Sequence, residues 1–159
     1  MIFVTLGSQK FQFNRLLMEL DKLVEEKKIS NDIFAQIGYS DYKPKNYEFK
    51  EFLDREQFAE IMERCEIVIT HGGTGAIVGA VKREKKVIAV PRLAKFGEHV
   101  DDHQLQIIDQ FTDMNFIVGV KETNEIYEAL EQLKTIEFKK YISNTENIIK
   151  SIEEFLAKA

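Results

Sequence analysis

Residues 68–81 read VITHGGTGAIVGAV, a β-branched run that breaks into His71, Gly72, Gly73, Thr74 and Gly75 and then turns apolar again. Three of the chain's eight glycines stand in this one turn. Glycine adopts positive φ readily and lets another group approach the backbone closely, so the turn suggests that something docks there. In open α/β sheets ligands settle outside the carboxyl ends of the strands, where helices begin. The first amides of a helix starting near Gly75 lack intrachain partners and carry the positive end of its dipole, which makes an anion, and phosphate above all, the natural guest. The dipole contributes only roughly 0.3–1 kcal/mol at an exposed site, so several amides and hydroxyls must converge to hold a charged ligand. A tight turn chosen for its backbone geometry alone is the competing reading. His71, beside the turn, offers a hydrogen bond or a positive charge, or simply shapes the loop.

Three phosphate or nucleophile motifs are excluded. A Walker A loop needs Gly, four residues and Gly-Lys-Ser/Thr, and no register supplies the lysine. A dinucleotide fingerprint would place glycine at 78, where Val78 stands, and would follow the first strand. The nucleophile elbow G-x-S-x-G is absent.

The second informative stretch is VPRLAKFGEHVDDHQLQII, residues 90–108. Helical spacing from His99 onward puts His99 and His103 at i and i+4 on one face. Two such imidazoles can bind zinc, but H-V-D-D-H is not the H-E-x-x-H pattern and no third ligand is evident, so no metal is expected. A hydrolase using these histidines is the metal-dependent rival. The alternative is a polar cluster of Glu98, Asp101, Asp102, His103 and Gln104, all able to pair with hydroxyls. Such a cluster, one strand beyond a phosphate-binding turn, suits a sugar attached to a diphosphate. Arg92 and Lys95, in the loop after Pro91, are electrostatic candidates, with solvated surface as the plainer reading.

The elements that position these residues follow from periodicity. Short β-branched runs alternate with helix-period segments, the pattern of an α/β fold with a largely parallel sheet. Strands are expected at 2–6, 32–37, 47–49, 67–70, 87–90 and 116–118. Between the first two, Leu16, Leu17, Leu20, Leu23 and Val24 recur at helical spacing. Asp54 followed by Gln57 forms a capping-box signature for a helix burying Phe58, Ile61, Met62 and Cys65. Further helices are expected over 75–82, from His99 through Ile108, and over 126–133. From Phe138 through Tyr141, Ile142, Thr145, Ile148, Ile149, Ile152, Phe155 and Leu156, apolar residues fall at spacings of three and four, a seam on a long helix about 138–156 that packs over its own sheet or serves a partner.

Composition sets the outer bounds. A chain of 159 residues is expected to form one domain, 1–159, with a core large enough to need neither disulfide nor structural metal. A net charge of −5 and pI near 5.3 argue against nucleic-acid binding. The basic run Lys82, Arg83, Lys85 and Lys86 reads as a solvated helix end, with an anionic surface as its functional alternative. The single cysteine, Cys65, excludes an internal disulfide, fits a reducing cytosol, and is expected to be a small buried hydrophobe. The opening MIFVTLG has no basic leader and starts at once as a strand. No segment approaches the ~20 apolar residues of a membrane span.

HGGTG, KKVIAVPR and GEHVDDHQ together resemble the donor-binding half of the family 28 glycosyltransferases. The likeness is greatest to the short bacterial catalytic subunits of two-component capsule and exopolysaccharide glycosyltransferases, which are related to the eukaryotic dolichol-linked GlcNAc transferase. The opening MIFVTLGSQKFQFNRLL is similar to that branch too. The resemblance implies a Rossmann-like parallel sheet, one half of a GT-B enzyme, that binds a UDP-sugar. By it, Gly72, Gly73, Thr74 and Gly75, with His71, cradle the diphosphate, and the uracil meets the backbone at Phe52 and Leu53. The donor sugar and ribose meet Glu98, Asp102, His103 and Gln104, and Gly7 and Ser8, with Arg92, face the cleft toward the acceptor. Many relatives carry a ribose-gripping glutamate where this chain has Gly79, so ribose recognition falls to another group, for which Glu98 is the candidate.

Transfer from a UDP-sugar requires the leaving diphosphate to be stabilised and an acceptor hydroxyl to be deprotonated. The turn meets the first requirement. GT-B enzymes place the acceptor site and usually the base in the other half, for which these residues leave no room. The expectation is an obligate, membrane-anchored acceptor-binding subunit, a lipid-linked saccharide acceptor, and a cytoplasmic chain held at the inner face of the plasma membrane through that partner. No cofactor is implied, since the UDP-sugar is a substrate. A non-catalytic module that binds UDP-sugar for regulation is the rival reading from a different class.

Overall fold

The computed structural model describes residues 1–7 and 9–138. Six strands form one parallel sheet in the order β3-β2-β1-β4-β5-β6. They are β1 Ile2–Thr5, β2 Ile33–Gln36, β3 Glu48–Lys50, β4 Ile67–His71, β5 Lys86–Val90 and β6 Val118–Gly119. The strand order reverses between β1 and β4, which opens a crevice at their carboxyl ends. The helices are α1 Asn14–Glu25, α2 Arg55–Arg64, α3 Thr74–Lys82, α4 His103–Asp113 and α5 Ile126–Gln132. The expected Rossmann-like architecture is therefore present.

Strand alternation sends successive side chains to opposite faces and so builds two cores. Val4, Ile33, Ala35, Ile69 and Ile88 meet α1 and α5, whose Leu16, Leu20, Ile126 and Leu130 are buried. Phe3, Val68, Val87 and Ala89 meet α2, α3 and α4 through Met62, Ile77, Ala80, Ile108 and Phe111. The starts of α2, α3 and α4 thus share one layer at the carboxyl edge of the sheet.

Local chemistry sets the helix ends. At α2 the capping box is complete: Gln57 N donates to Asp54 Oδ1 at 2.8 Å and Asp54 N donates to Gln57 Oε1 at 3.3 Å. Cys65 caps the same helix and is buried, and burial pushes its thiol pKa up, as befits a packed hydrophobe. The basic run is tied to carbonyls at helix carboxyl ends, where the dipole favours cations. Lys85 Nζ donates to Glu63 O and Cys65 O, Lys86 Nζ to Leu133 O, and Arg83 Nη1 to Gly79 O.

Two expectations about elements need correction. α4 begins at His103, not His99, because Asp101 Oδ1 accepts from His103 N and Asp102 Oδ1 accepts from Ala94 N, folding residues 97–102 into a loop after the short 3-10 helix Ala94–Phe96. His99 stacks on Phe11 in that loop, so the two histidines do not share a helix face. The last strand starts two residues late, since Asn115 has φ 63° and Phe116 N still donates to Phe111 O, completing the end of α4. The proposed tail helix 138–156 lies outside the described residues except for Phe138, which packs against the α1–α5 core.

Candidate functional site

The glycine turn follows β4, and its glycines have different causes. None of Gly72, Gly73 and Gly75 has positive φ, so the expectation that conformational freedom selects them is corrected. A Cβ on Gly72 would overlap the Gln104 side chain, and one on Gly73 would overlap the His71 ring. Gly7, at the end of β1 with φ +74°, also borders that ring, its added Cβ falling 2.8 Å from His71 Nε2. These three glycines make room for the protein's own side chains. A Cβ added at Gly75 would meet nothing within 4 Å beyond its chain neighbours and its own helix backbone. Gly73 caps α3 in extended conformation with no side-chain acceptor, and the first turn of α3 contains no acid. The start of α3 is therefore an unblocked positive helix end.

Gln104 ties the turn to the loop that follows β5. Its Oε1 accepts from Gly72 N at 3.1 Å and Arg92 N at 3.0 Å, while Nε2 donates to His71 Nδ1 at 3.1 Å. With Nδ1 accepting, the imidazole carries its proton on Nε2, on the side of Gly7. Burial first, and the nearby Arg92 cation second, lower the His71 pKa to about 3. His71 is thus neutral at physiological pH, and the reading of it as a positive charge on the ligand is corrected; a neutral N–H donor remains. Gln104, 5% exposed, holds the turn through both ends of its amide, leaving one Nε2 hydrogen for any sugar hydroxyl.

Arg92 and Glu98 are interior residues, each 1% exposed. Arg92 Nη2 donates to Leu6 O at 2.7 Å and Phe11 O at 3.2 Å, bracing the segment after β1, and its guanidinium lies over the Phe13 ring. Burial lowers its pKa to about 10, against the opposing pull of Glu98. The solvated reading of Arg92 is corrected. Glu98 accepts from Arg15 Nε at 3.0 Å, Arg15 Nη2 at 3.1 Å and Leu93 N at 3.1 Å. With its carboxylate buried and paired this way, Glu98 does not present a free face to ribose hydroxyls, and that expectation is corrected too. Among the groups expected to meet the sugar, His103 and Asp102 are exposed at the start of α4, and Lys95 is exposed beside them.

Phe52 and Leu53 lie just before α2, at the same edge. Phe52 is 45% exposed and meets Tyr39 edge to face, with centroids 5.2 Å apart. Ser8 lies outside the described residues. Sequence reading missed a row of three polar side chains beneath this edge: Gln36, Thr5 and Thr70, paired in register across β2, β1 and β4 and all buried. Thr70 Oγ1 donates to Thr5 O at 2.9 Å and Gln36 Oε1 accepts from Leu53 N at 3.2 Å. The signal was present in IFVT, IFAQ and IVIT, three apolar runs whose last inward residue turns polar. Among the described residues, no group of three or more His, Cys, Asp or Glu is arranged to hold a metal ion.

Three features lie at this edge of the sheet: an open helix start at α3, the exposed aromatic pair Tyr39 and Phe52, and the exposed polar start of α4. Comparison with known proteins bears on the family and the fold. The UDP-N-acetylglucosamine transferase subunit ALG13 of Kluyveromyces lactis is 30% identical over 138 residues, covering 86% of this chain and 60% of the relative. The same subunit from Candida albicans is 26% identical over 124 residues, covering 78% and 36%. The chain thus spans from about a third to three fifths of the length of these relatives. Among solved structures, ALG13 superposes with a TM-score of 0.62 at 17% identity, covering 98% of this chain and 94% of that one. MurG of Acinetobacter baumannii gives 0.57 at 19% identity, with 84% and 40% covered. The model of the glycosyltransferase family 28 C-terminal domain matches residues 1–158, and the chain belongs to that family.

Proposed function

We propose that this chain is the donor-binding, catalytic subunit of a two-component inverting glycosyltransferase. It moves a hexose, galactose, glucose or N-acetylglucosamine, from a UDP-sugar to a lipid-linked saccharide in capsule or exopolysaccharide synthesis. The observation that carries this reading is the empty space around Gly75, at the start of a helix whose preceding turn is fixed from within by His71 and Gln104. A diphosphate seated there accepts from the first amides of α3, and the Thr74 hydroxyl stands at the same end. Because the turn is already braced, those donors need little reorganisation as charge accumulates on the leaving group. His71 contributes as a neutral donor and as the ring against which Gly7 and Gly73 pack, not as a cation.

In the reaction the acceptor oxygen forms a bond to the anomeric carbon, the bond from that carbon to the diphosphate oxygen breaks, and UDP leaves with the electron pair. The acceptor proton goes to a base on a second, membrane-anchored subunit, which also holds the lipid-linked acceptor. That assembly places this chain at the inner face of the plasma membrane. Among the described residues no helix is long and apolar enough to cross a membrane.

The test is calorimetric binding of UDP and the three UDP-hexoses, backed by thermal shift, since a ligand that binds only the folded state raises apparent stability by mass action. UDP binding that Gly75→Leu abolishes without loss of folding is the expected result. No binding of UDP to the unaltered chain, or equal binding to the variant, contradicts the proposal.

A further inference from the structure

We propose that Arg92 is a positioning residue that holds both walls of the crevice at the spacing a diphosphate needs. The inference rests on the UDP-sugar reading above and adds to it the group that fixes the wall on the β1 side.

The strand order reverses between β1 and β4, so a ligand at this edge lies between the segments that follow those two strands. On the β4 side that segment is the turn 72–75. On the β1 side it starts at Leu6 and Gly7, and a Cβ on Gly7 would fall 2.8 Å from His71 Nε2, so the two walls meet at the His71 ring. Arg92 belongs to neither wall. It follows β5, yet it reaches both. Its main-chain N donates to Gln104 Oε1 at 3.0 Å, the same atom that accepts from Gly72 N at 3.1 Å. Its Nη2 donates to Leu6 O at 2.7 Å and to Phe11 O at 3.2 Å, binding both ends of the segment 6–11. Since β4 lies between β1 and β5 in the sheet, this reach spans the end of the intervening strand.

The rest of the guanidinium has no comparable use. Arg92 is only 1% exposed, and its Nε and Nη1 are sealed from solvent without a hydrogen-bond partner. The buried carboxylate of Glu98 is given to Arg15, at 3.0 Å. A buried charge with two nitrogens unpaired is a cost to folding. Replacing such a group by an apolar one of similar volume is often neutral or favourable for stability. Costs of this kind are tolerated where a site must be held in one arrangement. Nor do the loops after β1 and β5 need Arg92 to stay joined. Gln12 Nε2 donates to Phe96 O at 3.0 Å, Arg15 Nη2 donates to Pro91 O at 3.2 Å, and the Phe11 and His99 rings lie 4.9 Å apart. What Arg92 adds is the inner tie, at the wall itself.

The test compares UDP, inorganic pyrophosphate and uridine on the unaltered chain and on Arg92→Met, with affinities read by NMR titration and melting temperatures recorded on the same samples. Methionine fills much the same space without a donor. Arg92→Met is expected to fold and to lose at least tenfold in affinity for UDP and for pyrophosphate, while uridine, which has no phosphate, binds as before. Full UDP affinity in the folded variant overturns the inference. So does a loss of uridine affinity by the same factor, because a general loosening of the fold would weaken both ligands alike. A second arm needs no variant. In amide hydrogen exchange of the unaltered chain, bound UDP is expected to slow exchange in peptides covering 6–11 as well as 72–77. Protection of 72–77 alone overturns the inference even if Arg92→Met does not fold. If neither UDP nor pyrophosphate binds the unaltered chain, the donor-binding reading fails and this inference with it. If both bind but the Arg92 side chain makes no difference, only this inference fails.

Discussion

Two parts of one five-residue turn are built on opposite terms. At Gly72 and Gly73 the protein presses its own side chains against the backbone, Gln104 on one and the His71 ring on the other. At Gly75, one residue into α3, it leaves open space. Glycine in sequence looks the same at all three positions. The packed part is a brace joining β1, β4, the loop after β5 and α4 through Gly7, His71, Gln104 and Arg92. The open part is the surface the brace holds still. A ligand that needs several convergent amides gains from this division, because the donors are fixed before it arrives.

The division yields opposite mutational signatures, beginning with the deepest support of the brace. Glu98→Ala leaves the Arg15 guanidinium without its buried partner and Leu93 N without its acceptor, so a loss of about 3–5 kcal/mol is expected in urea unfolding. Gly73→Ala puts a methyl group into the His71 ring and is expected to cost about 1–3 kcal/mol, with the midpoint falling and the m-value unchanged. A neutral Gly73→Ala would mean that the turn is not held from within, and a neutral Glu98→Ala that the Arg15–Glu98 pair does not hold the loop after β5.

A third signature is in pH. His71 is neutral in the folded protein down to about pH 3, whereas in the unfolded chain it takes up a proton near its ordinary value of 6.5. Below pH 6.5 the unfolded state therefore binds more protons, and its contribution to stability falls as the medium is acidified, approaching about 1.4 kcal/mol per pH unit. Unfolding free energies measured from pH 7 to 4.5 are expected to show this slope in the unaltered protein. In His71→Gln the slope is expected to be smaller by that amount; identical slopes would mean the imidazole is not held neutral.

How much of this was visible in the sequence divides along the same line. The order of strands and helices follows from local periodicity, and the Asp54–Gln57 capping box is complete within four residues, so both were legible. The burial of Arg92 was not, because it depends on Leu6 O, 86 residues away. Gln104 reads as a sugar-binding residue in isolation, yet its partners are Gly72, Arg92 and His71, up to 33 residues distant. His99 and His103 kept helical spacing on paper, while two aspartates preceding the helix folded the intervening residues into a loop. The row of Gln36, Thr5 and Thr70 needed strand register, which no single segment contains.

The smallest effect on stability carries the largest weight for function. Gly75→Leu replaces a poor helix former by a good one at a position the protein leaves empty, so stability is expected to stay level or rise by about 0.5–1 kcal/mol. The decisive measurement is UDP affinity of this variant by titration calorimetry, with its melting temperature recorded on the same sample. An unchanged or higher melting temperature together with at least a tenfold loss of UDP affinity is the predicted result. Full UDP affinity in a folded Gly75→Leu protein would show that the start of α3 holds no diphosphate.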